Sequence, residues 1–285
     1  PPDEIEKIGH YLLTEKKLHT AIKLNPTLLG KETLLKIMKA SGFQTQIPEI
    51  AFEHDLKYPD ALTLVKNLRN TAQKEGLHFS IKLTNTLESL NHKEVFPANE
   101  AMMYMSGRAL HPVSVNLAAK LQQDFNGNLD ISFSGGADAF NISALLAAGL
   151  SPVTVCSDLL KPGGYGRMSQ YLAEIRKEMQ ALQAGNLHDF ILKSNKSGAT
   201  GLNIAAKENL ASYARSILEN PDFLKTEIRD PSIKTSRKLG YFDCIHAPCV
   251  DTCPTNQDIP DYIFETSQGN FAQAGQIILK TNPFP

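Results

Sequence analysis

Ile131-Ser132-Phe133-Ser134-Gly135-Gly136 is an apolar strand that runs into two glycines, and a helical stretch follows over Ala139–Ala148. Sixteen residues beyond Gly136, Pro152-Val153-Thr154-Val155-Cys156-Ser157 repeats the passage from strand to polar turn. Short apolar strands alternating with helices predict βα units and a parallel sheet. Glycines at such a turn let backbone N–H groups approach a phosphate, towards which the next helix points its positive end. A tight βα turn without a ligand would read the same way.

The alternation recurs upstream. Ile5, Ile8 and Leu12 fall at helical spacing, and Thr20–Asn25 predicts a strand ended by Pro26. Leu34, Leu35 and Met38 mark a helix closed near Gly42; Leu64, Val65, Leu68 and Ala72 mark another, closed at Gly76. His78–Leu83 predicts a further strand, and Val113, Leu117, Leu121 and Phe125 line a helix stopped by Asn126-Gly127. Phe43–Phe52 offers one more strand, interrupted by Pro48. Ile22-Lys23-Leu24-Asn25 and Ile81-Lys82-Leu83-Thr84 each set one lysine in an apolar strand with polar residues at its C-terminal end. Two snorkelling lysines would give that pattern. So would two cations facing a ligand, because parallel barrels carry their sites at the C-terminal strand ends.

Beyond Lys161 the pattern changes. Amphipathic helices are expected around Met168–Leu182 and Ile204–Leu218, a Gly/Ser loop at Asn195–Gly201, and a polar linker over Arg229–Lys238. Asp258-Ile259-Pro260 reads as a helix start, and Phe271, Ala274 and Ile278 as a helical stripe. Lys161–Gly166 lacks the Lys-Ser/Thr ending of a P-loop and reads as a turn; Met102, Met103 and Met105 read as flexible packing in a lid. Cys156 reads as a small buried hydrophobe, with Ser157 the better phosphate contact; Glu53-His54-Asp55 reads as a solvated loop in preference to an acid/base trio at a strand end.

The 285 residues are 42% apolar and 21% charged, an ordinary globular composition. Lys and Arg number 29 against 30 Asp and Glu, so the charge of −1 gives no reason to expect a nucleic-acid or membrane surface as partner. No apolar run approaches the roughly 18 residues of a membrane span, and no signal peptide opens the chain. The Pro1-Pro2 start and the Asn282-Pro283-Phe284-Pro285 end are expected of a piece of a longer protein. Such a piece, with open sheet edges, is expected to be poorly soluble by itself. Cys244, Cys249 and Cys253 fall within ten residues. Clustered cysteines in a large chain suit metal or redox chemistry in a reducing compartment, here taken as cytoplasmic. Soft thiolates take Zn²⁺ or an iron–sulfur cluster, and the Cys-x-x-Cys knuckle of zinc sites is absent.

Several of these stretches resemble, in order, the flavin-binding barrel of the dihydroorotate and dihydropyrimidine dehydrogenases. Lys23-Leu24-Asn25-Pro26 is similar to a strand whose lysine contacts the flavin, and Thr84-Asn85-Thr86 to a strand end facing substrate and cofactor. Ser106-Gly107 through Pro112 is similar to a loop and helix start, and Ser134-Gly135-Gly136 and Val155-Cys156-Ser157 to the two flavin-phosphate turns. The resemblance therefore implies cofactor contacts from Lys23, Thr84, Asn85, Ser106, Gly107, Gly135, Gly136 and Ser157. Ala137 where Ile or Val is usual, the extra charge of Lys82 and a long insertion between the lysine strands depart from the pattern. Lys23–Gly30, Tyr104–Leu110 and Asp158–Tyr165 resemble the large iron–sulfur flavoproteins assigned as selenate reductase subunits, in which a barrel precedes a cysteine-rich helical domain and a dinucleotide-binding module. The cysteine run resembles the N-terminal iron–sulfur domain of dihydropyrimidine dehydrogenase and of the glutamate synthase small subunit. That implies iron–sulfur ligation by Cys244, Cys249 and Cys253, with Cys253 serving a second cluster. The family's first cysteine falls at Tyr241, so that ligand is missing or is replaced by Asp243 or His246.

The expectation is an α/β chain: the C-terminal part of a TIM-type barrel followed by a small α-helical ferredoxin-like segment. Residues 1–195 would be the partial barrel with its C-terminal helix, 196–238 helix and linker, and 239–285 the start of the iron–sulfur domain. The expected function is part of an iron–sulfur flavoprotein oxidoreductase of the selenate reductase type. It would hold a 4Fe-4S cluster and an FMN-type site or its relic and act on a small-molecule substrate, with FAD and NAD(P) bound downstream. A dihydropyrimidine- or dihydroorotate-type dehydrogenase is the second enzyme reading. A flavin-free scaffold for a molybdenum-enzyme partner is the non-enzyme one.

Overall fold

The computed structural model describes residues 2–93, 96–160, 164–225, 249, 253–255 and 257–282. The expected linker over Arg229–Lys238, Cys244, and residues 161–163 of the expected turn lie outside them. In chain order α1 (Pro2–Thr14) precedes β1 (Thr20–Leu24), and α2 (Lys31–Ala40), α3 (Glu49–His54) and α4 (Tyr58–Lys74) lead to β2 (Phe79–Leu83). A hairpin of β3 (Leu87–Leu90) and β4 (Met102–Met105) comes before α5 (His111–Asp124), β5 (Ile131–Phe133) and α6 (Ile142–Ala147). Then come α7 (Met168–Ala181), α8 (Leu187–Ser194), α9 (Leu202–Ser216), α10 (Ile259–Ser267) and α11 (Phe271–Thr281).

The parallel sheet runs β1-β2-β5, and a bridge from Phe133 to Val153 adds a fourth extended segment beside β5. Period-two alternation sorts its residues. Leu24, Ile81, Leu83, Ile131 and Phe133 are at most 3% exposed and join the core with Leu64, Val65 and Leu68 of α4, Val113, Leu117 and Leu121 of α5, and Leu210 and Ala214 of α9. Each fully buried leucine contributes about 2 kcal/mol. Lys23, Lys82 and Ser132 form one row in register across the three strands. The helices cover one face; the other carries the lysines.

Several expectations are corrected. Phe43–Phe52 is no strand: Pro48 caps α3 instead, because an imide without an N–H suits a helix start better than a ladder. Pro152–Cys156 keeps only the single bridge at Val153, and Cys156 is exposed rather than buried. The alternation explains it: Val153 and Val155 pack on the core while Thr154 and Cys156 face the other way. In α1 the buried residues are Gly9 and Leu13, not the Ile5-Ile8-Leu12 stripe, and Ile8 is 62% exposed. α4 approaches so closely that a Cβ on Gly9 would sit 2.7 Å from Leu68 Cδ1. Finally, Met102, Met103 and Met105 form a paired strand, and Asp55 is bonded into the core of the strand ends rather than solvated.

Beyond the sheet, α7 and α9 match their expected ranges closely, whereas α8 was not expected. α10 starts at Ile259 with Pro260 in its first turn, as read from the sequence, and α11 carries the Phe271 stripe with Ala274 buried. The 7%-exposed Gln257 side chain donates to the Ile277 and Ile278 carbonyls at 3.4 and 3.3 Å, joining the chain before α10 to α11. Among the described residues no helix is long and apolar enough to cross a membrane.

Candidate functional site

The C-terminal ends of β1, β2, β5 and the Val153 segment open on one cavity of about 550 Å³, within the size range of small-ligand pockets. It brings together Lys23, Thr84, Ser106, Gly107, Gly135, Gly136 and Ser157, seven of the eight residues singled out for a cofactor. Asn85 stands outside the lining. Its Nδ2 donates to Asn25 Oδ1 at 2.6 Å, Asn25 Nδ2 donates to Asp55 Oδ1 at 2.7 Å, and Thr27 Oγ1 donates to Asp55 Oδ2 at 2.5 Å. A carboxylate only accepts, so Asp55 fixes both amides.

The two glycine turns pack on each other before they meet any ligand. Gly107 and Gly136 have φ of 67° and 70°, and a Cβ on Gly136 would lie 2.3 Å from the Gly107 carbonyl oxygen. A Cβ on Gly135 would lie 2.5 Å from Ser114 Oγ, the hydroxyl that pairs with Thr84 Oγ1 at 2.8 Å. The Gly136 N–H meets no acceptor among the described residues.

Charge in the cavity is sorted. Asp138 pairs with Arg108 at 2.5 Å, and the Arg108 guanidinium also lies over the Phe140 and Phe223 rings. Asp158, 5% exposed, receives Arg167 Nε and Nη2 at 3.1 and 3.0 Å and the Tyr171 hydroxyl. Burial, then the hydrogen bond to Asp158, pushes that phenol far above its ordinary range. Both acids are thus neutralised by arginines, while Lys23 and Lys82 make no ion pair among the described residues. The cavity is left with cationic, anion-seeking character.

Behind the Gly135-Gly136 turn lies His111, which is fully buried. Its Nδ1 meets the Gly135 carbonyl at 2.5 Å, its Nε2 meets the Tyr213 hydroxyl at 2.8 Å, and its ring stacks on Phe223 with centroids 5.0 Å apart. Burial lowers its pKa to about 4. The sequence reading passed over His111, Arg108, Asp138 and Asp158 as site residues. Arg108 and Asp138 closely follow glycines of the two turns, whereas no pattern in the sequence marks His111 or Asp158.

The cysteines divide. Cys249 is exposed; Cys253 is half-buried, its Sγ 3.4 Å from Thr255 Oγ1 and accepting the Gln257 N–H at 3.4 Å. The Thr255 hydroxyl first, then the backbone N–H groups of Gln257 and Thr255, lower its thiol pKa towards the thiolate that a metal needs. These donors suit an iron–sulfur cluster in kind, although among the described residues no group of three acids, histidines or cysteines could hold a metal ion.

Comparison with known proteins agrees with both parts. Residues 1–210 match the family model described as "Oxidoreductase YgfK, N-terminal TIM-barrel domain", and residues 232–285 match "Dihydropyrimidine dehydrogenase domain II, 4Fe-4S cluster". Two Escherichia coli proteins, from strains K12 and O157:H7, each bear the name of an oxidoreductase, YgfK. They are 39% identical to the chain over 286 aligned positions, which is all of this chain and 26% of theirs. The chain therefore spans about a quarter of the length of the curated relatives it matches. These names lie nearer to the dehydrogenase reading than to the selenate reductase one.

Proposed function

Because the chain belongs to the YgfK oxidoreductase family and joins a TIM-barrel domain to a 4Fe-4S domain, we propose that its cavity binds an FMN-type cofactor and that electrons pass between this site and the cluster. One observation carries the reading: Lys23 and Lys82 sit in register on adjacent parallel strands and share, without partners among the described residues, the cavity bounded by both glycine turns. The residues fit the group. Two cations offset the charge of a phosphate-bearing ligand, the free Gly136 N–H and the Ser157 hydroxyl suit its phosphate, and Thr84 and Ser106 supply neutral polar contacts. Arg108 and Arg167 keep Asp138 and Asp158 from opposing that charge.

A bound flavin supplies hydride and single-electron chemistry, and the cluster single-electron transfer. The chain's own share is positioning and charge. Lys23 and Lys82 hold the ligand's anionic groups at the strand ends, the Thr84–Ser114 pair fixes the wall beneath it, and the hairpin β3–β4 joins two lining segments, Thr86 and Ser106. Cys244, Cys249 and Cys253 are the proposed cluster ligands, with others outside the chain. FAD and NAD(P)H belong, in this reading, to the remainder of the protein, and the setting is cytoplasmic. The dehydrogenase type is favoured over selenate reduction by the name of the C-terminal match. The test is FMN affinity of the full-length protein and of its Lys23→Gln/Lys82→Gln variant. Loss of two cation contacts is expected to weaken FMN binding about a hundredfold with the fold intact; unchanged affinity overturns the reading.

A further inference from the structure

Resting on the flavin-site reading, we propose that His111 is a positioning residue for the anion-binding end of the cavity, acting through the Gly135–Gly136 peptide. The Gly135 carbonyl can only accept, so the Nδ1 that meets it at 2.5 Å carries the proton. His111 is fully buried and neutral, so Nε2 is an acceptor and the Tyr213 hydroxyl, 2.8 Å away, donates to it. The carbonyl thus sets the tautomer, and Tyr213 on α9 supplies the donor that Nε2 then needs.

The Gly135–Gly136 peptide is not among the cis bonds of the chain, so its C=O and N–H point in opposite directions. Holding the carbonyl back against His111 turns the Gly136 N–H forward, and that N–H has no acceptor among the described residues. Nor has the dipeptide room to rotate. Ser114 Oγ fills the place of a Gly135 Cβ, and the Gly107 carbonyl fills that of a Gly136 Cβ. The imidazole is itself held flat on Phe223 and edge-on to Phe133. Any buried histidine must satisfy both ring nitrogens; what marks this one is that its Nδ1 partner is the carbonyl of a peptide whose other end lines the cavity.

The test compares FMN with riboflavin, which shares the ring system and lacks the phosphate, on the full-length protein. His111→Phe keeps the ring packing and loses both hydrogen bonds; His111→Asn restores a donor near the Nδ1 position. The expected result is about a tenfold loss of FMN affinity in His111→Phe, unchanged riboflavin affinity, and most of the FMN affinity recovered in His111→Asn. Tyr213→Phe, which leaves the imidazole in place but removes the donor to Nε2 and loosens the ring, is expected to lose roughly threefold for FMN only, and it serves if His111→Phe does not fold. Equal losses for both ligands, or none, overturn the proposal and leave the flavin site standing. A wild-type protein that binds neither ligand overturns the flavin reading and the proposal with it.

Discussion

His111 and Asp158 show how much a single buried polar side chain controls in this molecule. His111 has an ordinary pKa of 6.5 and a folded value of about 4. Above 6.5 neither state binds the proton; between 6.5 and 4 the unfolded chain takes it up and the folded one does not. Stability therefore falls as pH drops through that window, by about 3 kcal/mol from this group at 1.36 kcal/mol per unit. Urea unfolding across the window should show that slope in the wild type and a flatter one in His111→Phe. At Asp158 the bidentate Arg167 and the Tyr171 hydroxyl satisfy a carboxylate that is only 5% exposed. Arg167→Met should cost about 3–5 kcal/mol in chemical denaturation, because it removes the bidentate cation from a buried carboxylate. A loss below about 1 kcal/mol, the worth of a surface pair, would show that Asp158 reaches solvent. Neither residue was legible as functional in the sequence, since a histidine after Leu110 and an aspartate after Ser157 carry no pattern of their own. Only the fold brings Tyr213 and Arg167 to them.

At the scale of elements, periodicity located the strands and most helices, and what it missed has physical causes. The three-residue β5 and the Val153 bridge are shorter than their apolar runs, because a proline at 152 and polar turns at 134 and 157 end the pairing. Apolar spacing locates α1 but not its tightest contact, because a glycine, invisible to an apolar count, makes the close approach to α4. The glycine pairs were legible as a turn, but their neighbours were not. Gly136→Ala should cost more than the left-handed φ alone, because its Cβ would fall 2.3 Å from the Gly107 carbonyl and 2.9 Å from Arg108 Cα. Gly76, at φ 67° with nothing within 4 Å, is the control. Its alanine variant should lose about 1 kcal/mol, and Gly136→Ala about 3 or more, in equilibrium unfolding. Equal losses would mean that the two turns are not packed against each other.

For the whole molecule the account joins an anion-seeking barrel cavity to a cluster-binding segment. The order of the two was legible from local motifs, since each carries its own residue types. The cavity's charge was not legible, because it depends on which acids are neutralised by Arg108 and Arg167. In the full-length protein Cys249→Ser should remove about one cluster's worth of iron and spare any other, as read by iron content and electron paramagnetic resonance. Zinc in place of iron in anaerobically purified protein would move the cysteines to a structural role. The central claim concerns the cavity, and one measurement reaches it most directly: the flavins released from anaerobically purified full-length protein, separated as FMN and FAD. The account predicts stoichiometric FMN in the wild type and its loss, with iron retained, in Lys23→Gln/Lys82→Gln. Iron without FMN in the wild type would contradict it and leave the barrel as a scaffold.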